Sequence, residues 1–371
     1  MMIRMPVLQM PRLRFSFTFI DPALIAFIAL VSFLGLVVLY SASGQDSALV
    51  LHQFIRLLIG FLLLFIFSNI PISFLRRWTP IFFLVSVVLL VLVLAIGDAG
   101  HGAKRWLDFF LFRFQPSELV KITMPMMLAL ILGAHSLPPS FLRLLTSLII
   151  IAIPVILVAI QPDLGTSLLI AASGFISLIL SGISVWIFSV FFLIVLTTVP
   201  LAWKYLLYDY QKQRILTLLD PEADPLGAGY HIIQSKIAVG SGGLYGKGWL
   251  NGTQSHLDFL PERSTDFIFA VFAEEFGFIG VVLLLILYGL ILRRIFQITF
   301  NAPDHYSRIL AGTLGLGLLL YIFVNIGMVI GIIPVVGAPL PLLSFGGTYI
   351  ASLMIGFGIL MSINSHKKRM A

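Results

Sequence analysis

The sequence predicts an all-α fold: a polytopic membrane helix bundle of about ten transmembrane helices, with a large external loop between the seventh and eighth. Three observations predict it. Charged residues are 11% and hydrophobic residues 59% of the 371 positions, where soluble domains carry about 25% charged residues. Apolar runs of roughly membrane-crossing length recur along the whole chain. Lys and Arg gather on one side of those runs, as they do in chains with a fixed topology.

The runs are Ala23–Tyr40, Ile55–Ile70, Pro80–Ile96, Ser117–Leu132, Leu144–Ile160, Leu164–Leu180, Val185–Leu207, Asp266–Leu292, Ile309–Ile333 and Leu340–Ile363. Only Gln161-Pro162-Asp163 divides the fifth from the sixth. Pro162 disfavours helical backbone in the residue before it, so a tight hairpin is expected there in place of one overlong helix. The first run is too long for a cleaved signal peptide and is expected to stay as a span. No lipidation motif is evident. One unit over residues 1–371 is expected, with an external cap over 208–265.

Orientation follows from the basic residues. Arg4, Arg12, Arg14, Arg76, Arg77, Arg143, Arg293, Arg294, Arg308, Lys367, Lys368 and Arg369 fall on one side, opposed only by Asp21 and Asp304. The other side carries Asp46, Asp98, Asp108, Asp220, Glu222, Asp224, Asp258 and Glu262 among fewer bases. Both termini are therefore expected in the cytoplasm. The formal charge of +7 is dispersed at helix ends, which suits topology and lipid headgroups and gives no reason to expect a nucleic-acid partner. Cysteine is absent, which excludes disulfides, thiolate metal sites and a Cys nucleophile.

Two connections are large. In Gly97–Pro116, aromatic and basic residues alternate, and an interfacial segment is expected, with Trp106, Phe109, Phe110 and Phe112 among headgroups and Lys104, Arg105 and Arg113 toward phosphate. Tyr208–Thr265 is far longer than ordinary loops and rich in Gly, Leu, Ile, Trp and Tyr, so a packed cap is expected. Its GSGGLYGKGWLNG stretch (Gly240–Gly252) fails the phosphate-loop pattern and reads as tight turns.

Charged residues within or at the ends of spans are Arg56, Glu118, Lys121, Asp163, Lys204, Asp266, Glu274 and Glu275. Such residues are costly in a membrane and are functional candidates by default. Glu118 and Lys121, three apart, share a helix face and can pair, either as a structural lock or as the wall of an internal cavity. Asp266 stands at the mouth of the eighth run, where a helix dipole also favours an anion. Ala270, Ala273 and Gly277 follow on its face and turn it toward neighbouring helices. Glu274 and Glu275 read as structural. The irregular Pro334–Pro341 and Ser344–Thr348 segments break the last helical pattern, which is tolerated at membrane depth only beside a cavity or protein.

Several motifs together resemble a known family. RFQPSELVKI (Arg113–Ile122), QPDLGTS (Gln161–Ser167), Asp220–Gln254, LPERSTDFIFAVFAEE (Leu260–Glu275) and PVVGAPLPLLSFGG (Pro334–Gly347) resemble the SEDS family (shape, elongation, division and sporulation), in order and over nearly the whole chain. The long external stretch is closer to the elongation member than to the division member. Phe345 departs from the Tyr of many relatives.

The resemblance implies a glycosyltransferase of the bacterial cytoplasmic membrane that polymerises lipid II, the undecaprenyl-diphosphate-linked disaccharide-peptide, into β-1,4-linked peptidoglycan on the outer face. It implies a class B penicillin-binding protein and other elongation-complex membrane proteins as partners. The family's catalytic Asp falls on Asp266, and its cavity residues on Arg113, Gln115, Glu118, Lys121 and Asp163. Inverting attack on a sugar diphosphate needs a base but no acid, unlike glycosidases. It also needs positive charge on the leaving phosphate: Arg113, Lys121, or a divalent cation (Mg or Mn) held by acids such as Glu118 and Asp163. A lipid flippase would also suit a bundle with broken helices, and a mere scaffold for the penicillin-binding protein is a third reading.

Overall fold

The computed structural model describes residues 16–100, 103–109, 112–134, 137–205, 207–223, 229–256 and 262–367. The expected topology signals Arg4, Arg12, Arg14, Asp224, Asp258, Lys368 and Arg369, and the Phe110 anchor, lie outside them. Among the described residues, ten long helices appear where ten apolar runs stand: α1 (Pro22–Ala42), α2 (Ser47–Asn69), α3 (Ile72–Ile96), α4 (Pro116–Leu132), α5 (Phe141–Ile160), α6 (Leu164–Leu180), α7 (Val185–Tyr205), then α11 (Ile268–Phe300), α12 (His305–Val329) and α13 (Thr348–Lys367). Seven of them are apolar and long enough to cross a membrane; α4, α6 and α7 complete the bundle. The shorter helices α8 (Asp209–Leu219), α9 (Tyr230–Ser241) and α10 (Thr253–His256) belong to the expected cap.

Local chemistry sets the helix starts. Asp21, Asp46, Asp163 and Asp304 cap α1, α2, α6 and α12, each side chain accepting from a backbone N–H of the first turn; these groups have no partner within the helix. Buried Asp21 also accepts from Arg294 Nε and Asn364 Nδ2, at 2.8 and 3.0 Å, which ties α1, α11 and α13 together at one end of the bundle. Lipid replaces water around the outer faces, so large apolar side chains such as Phe33, Leu58 and Leu84 stay uncovered by protein.

Three expectations need correction. Three strands form a small antiparallel sheet, β1 (Asp98–Gly100), β2 (Ala103–Phe109) and β3 (Phe112–Phe114), in the order β1-β2-β3. The alternation read as interfacial is the period-two pattern of strands. The last helix begins at Thr348, not Leu340, because Pro339, Pro341 and the Gly346-Gly347 pair keep the segment before it irregular. The eighth span begins at Ile268, two residues after Asp266, and runs on to Phe300.

That eighth span is also broken. Gly277 has φ 65° and ψ −168° inside α11, a conformation other residues rarely take. The glycine stretch of the cap fills the break. Lys247 N and Gly248 N donate to Glu274 O and Glu275 O, both at 3.0 Å, and Phe278 N and Ile279 N donate to Gly243 O and Leu244 O. A Cβ on Gly277 would meet Gly246 N at 2.2 Å. The turns at Gly240–Gly252 thus replace the missing helical hydrogen bonds, as buried backbone requires.

Candidate functional site

At the cap end of the bundle a cavity of about 550 Å³ opens among β2, α4, the α5–α6 turn, α8, α12 and the irregular segment before α13. Gln115, Glu118, Lys121, Asp163 and Asp266 all line it, with Arg105, Trp106, Arg214 and Glu262. Five of the six expected site residues therefore come together from positions 151 residues apart in sequence, Gln115 to Asp266.

Arg113 is the sixth, and it does not line the cavity. It lies on β3, 67% exposed, with Nε 3.5 Å from Asp108. Arg113 stands opposite Asp108 in the β2–β3 pairing, and none of the described β3 residues lines the cavity. Arg105, on β2, takes the cavity position. It donates to Pro162 O at 2.6 Å and lies 3.8 Å from Asp163 Oδ2. Trp106, expected among headgroups, is a wall of the cavity.

Most of the charges in the wall are already engaged. Lys121 Nζ donates to Glu118 Oε1 at 2.5 Å, and Ser352 Oγ donates to Glu118 Oε2 at 2.9 Å. Asp163 caps α6 through Thr166 N and pairs with Arg105. Glu262 accepts from Thr265 Oγ1 at 2.7 Å. These bonds use the oxygens that a divalent cation would need. Among the described residues no group of three His, Cys, Asp or Glu side chains is placed to hold a metal. The donor set around Glu118 and Asp163 does not fit a resident cation.

Asp266 differs. Its backbone is fixed: Asn325 Nδ2 donates to Asp266 O at 2.9 Å and to Ala338 O at 2.7 Å. Ser344 Oγ donates to Thr265 O at 2.6 Å, and Phe345 N to Ser264 O at 2.9 Å. The irregular segment before α13 thus clamps the turn that carries Asp266. Gly337, with φ +75°, leaves room beside it; a Cβ there would stand 3.4 Å from Asp266 Oδ2. The carboxylate itself is partly open to the cavity. Burial by the surrounding protein pushes its pKa up from 3.8 to about 6, with Glu262 and Asp163 adding to the rise and Arg214 opposing it. A largely buried carboxylate with a raised pKa, held by its main chain, is suited to take a proton.

Glu274 and Glu275 are structural, as their sequence context suggested. Glu274 Oε1 accepts from Lys247 Nζ at 2.7 Å and from the backbone N of Thr253 and Gln254, and Glu275 accepts from Ser41 Oγ of α1. The sequence reading missed Arg105, Arg214, Asn325 and Ser344. Arg105 lay in a segment read as interfacial and Arg214 in an undivided cap. Asn325 had a signal: a lone amide in an apolar span, which needs a partner.

Fold and site together define a class: a multi-pass membrane protein with a polar, cation-bearing cavity at one end of its bundle and one carboxylate fixed in its wall. A sequence model of the FtsW, RodA and SpoVE family, described as a cell cycle protein, matches residues 22–369, and the chain belongs to that family. It is 48% identical over 352 residues to the peptidoglycan glycosyltransferase MrdB of Escherichia coli K12, covering 95% of each chain. It resembles a chain from a peptidoglycan synthase complex in which polymerization and crosslinking are coordinated, with TM-score 0.81, 30% identity and coverage of 94% of this chain and 98% of that one. The rod shape determining protein RodA of Thermus thermophilus matches with TM-score 0.69, 28% identity and coverage of 93% and 96%.

Proposed function

We propose that this protein is a peptidoglycan glycosyltransferase of cell elongation, polymerising lipid II with Asp266 as general base. The observation that carries the reading is the contrast within one cavity: Asp266 stands in its wall with its carboxylate accepting no hydrogen bond among the described residues, and the cations Arg105, Lys121 and Arg214 line the same cavity. The acceptor sugar presents its 4-hydroxyl to Asp266. As the hydroxyl oxygen bonds to the donor's anomeric carbon, the proton passes to the carboxylate and the bond to the diphosphate breaks. The undecaprenyl diphosphate departs carrying the electron pair, and configuration at the anomeric carbon inverts. Charge develops on phosphate, where a positive side chain in a low-dielectric site is worth more than in water. Lys121 and Arg214 carry that role in this geometry, with Arg105 and Asp163 shaping the wall and Gln115 and Glu118 ordering it.

The basic-residue bias supports an orientation with both termini in the cytoplasm and the cavity facing outside the bacterial cytoplasmic membrane. There the sugars reach water while the lipid tail stays in the bilayer. The relatives' names and the synthase-complex likeness support a class B penicillin-binding protein as partner, among other elongation-complex membrane proteins.

The test is lipid II polymerisation by the purified chain with its transpeptidase partner. Asp266→Asn is expected to abolish glycan formation while partner binding persists. Normal polymer from that variant would overturn the assignment. In liposomes, movement of externally supplied lipid II across the bilayer without polymer would favour a flippase instead.

A further inference from the structure

Below the polar cavity lies a second, apolar one. It occupies about 80 Å³ between α4, α6, α12 and α13, several times the ~10–15 Å³ that one water needs. Lys121, Leu169, Tyr321 and Tyr349 line both spaces, so the floor of the first is the roof of the second. From Tyr349 to Leu360 the slot follows α13 for about 16 Å, at 1.5 Å per residue.

The polarity changes abruptly across that floor. Lys121 Nζ sits 4.8 Å above the ring centre of Tyr321 and 5.4 Å from that of Tyr349. The Tyr349 hydroxyl is buried with no hydrogen-bond partner. Beneath it, two of the hydroxyls that border the slot are already bonded, Thr313 Oγ1 to Ile309 O at 2.8 Å, and Ser352 Oγ to Glu118 and Tyr349 O; Ser173 is the other polar side chain there. The rest is aliphatic and aromatic. Missing side chains keep the slot open. A Cβ on Gly317 would meet nothing within 4 Å, and one on Gly356 only Leu314 at 4.0 Å. Packed interiors close such voids because unfilled apolar space destabilises a fold. A void held open on two helices beneath a cation and an unbonded hydroxyl has the polarity profile of an anionic head with an apolar chain attached.

We propose that the slot takes the phosphate-proximal isoprene units of the polyprenyl diphosphate, with Lys121 and the Tyr349 hydroxyl on its phosphate. The proposal rests on the glycosyltransferase reading for the identity of the lipid. It explains how the leaving diphosphate is held in register with Asp266: the chain is threaded on the far side of the same floor. It also makes the slot selective for a prenyl diphosphate over a sugar nucleotide, which has no chain to place there.

The test compares two probes on the full chain in detergent, farnesyl diphosphate and inorganic diphosphate. Gly356→Leu and Gly317→Leu fill the slot from α13 and α12 and replace none of the cavity residues; Gly356→Ala is the milder variant if either misfolds. Losing burial of two or three methylene-sized groups is expected to weaken farnesyl diphosphate about tenfold or more. Inorganic diphosphate should stay within about twofold, because its affinity comes from the cations above the floor. With lipid II, KM should rise while kcat is largely kept. A photoreactive farnesyl diphosphate should label α12 and α13 near Leu314 and Leu353, and excess phosphatidylglycerol should not protect them. Equal weakening of both probes, no weakening of either, or protection by phospholipid would each overturn the proposal. Because the binding arm needs no turnover, its failure is separable from a failure of Asp266→Asn to abolish polymerisation.

Discussion

The acid limb of the activity profile is the most direct probe of Asp266. With its pKa at about 6, roughly nine-tenths of the carboxylate is ionised at pH 7 and about one-tenth at pH 5. If Asp266 is the base, kcat/KM should level off above about pH 7 and fall close to tenfold per unit below 6. The perturbation is Glu262→Gln. Burial is the largest cause of the rise, and the like charge of Glu262 is the second. Removing that charge should move the limb to lower pH but leave it above 3.8, since burial remains. Arg214→Gln should move it the other way, because Arg214 favours the ionised form. The assay is initial-rate lipid II polymerisation with the partner, at subsaturating substrate, from about pH 4.5 to 8. Stability must move oppositely. The folded pKa exceeds the unfolded one, so between the two values the native state binds more protons, and stability from this group falls as pH rises through that window. Asp266→Asn should therefore raise the melting temperature above pH 6 while eliminating polymer. A wild-type limb near 4, or one that Glu262→Gln does not shift, would refute Asp266 as the titrating base.

Other substitutions test the supports of the site. Gly277→Ala places a Cβ 2.2 Å from Gly246 N at a positive φ and should cost about 3 kcal/mol or more, read as reduced folded yield and melting temperature. Asn325→Leu removes the donors to Asp266 O and Ala338 O; each buried carbonyl left bare costs about 1–3 kcal/mol, and kcat should fall more than KM rises. Arg294→Met strands the Asp21 carboxylate, 1% exposed, and should destabilise by about 3–5 kcal/mol, with Asp21→Asn in the same chain restoring part of the loss. Arg105→Ala should reduce activity far more than Arg113→Ala, since Arg105 braces Pro162 and Asp163 while Arg113 does not line the cavity and is exposed beside Asp108; equal effects would refute the placement of β2.

The bundle was legible because lipid imposes a simple rule: an apolar run of sufficient length crosses as a helix. The break at Gln161–Asp163 and the cavity-facing Glu118 and Lys121 followed from local rules of the same kind. The three-stranded sheet was missed because a membrane-surface segment and a strand pair both alternate apolar and polar residues. Arg113 was placed in the cavity by the family resemblance, and the interfacial reading, which treated Arg105 and Arg113 alike, gave no way to choose between them. The insertion of Gly243–Gly248 into α11 could not be read either. It depends on two distant segments exchanging backbone hydrogen bonds, and backbone groups carry no sequence signature. Gly277 itself was counted as a small packing residue; its positive φ, not its size, is what the fold uses.

The engagement of the other acids is what makes Asp266 informative. Glu118, Asp163, Glu262, Glu274 and Asp21 each accept hydrogen bonds from described donors, so their carboxylate oxygens are already engaged within the fold. In Asp266 the bonds fall on the main-chain carbonyl instead, through Asn325. Position is thus fixed without satisfying the side chain. A carboxylate tied by its own oxygens would be held as firmly but would have a lower pKa and no lone pair directed at a substrate. One held by its backbone keeps a raised pKa and open lone pairs, at the cost of burying a charge. The clamp from Ser344 and Phe345 onto Thr265 and Ser264 offsets that cost locally. If Asp266 is the base, as proposed, the irregular segment before α13 is what holds it in place, although it contributes no titratable group of its own.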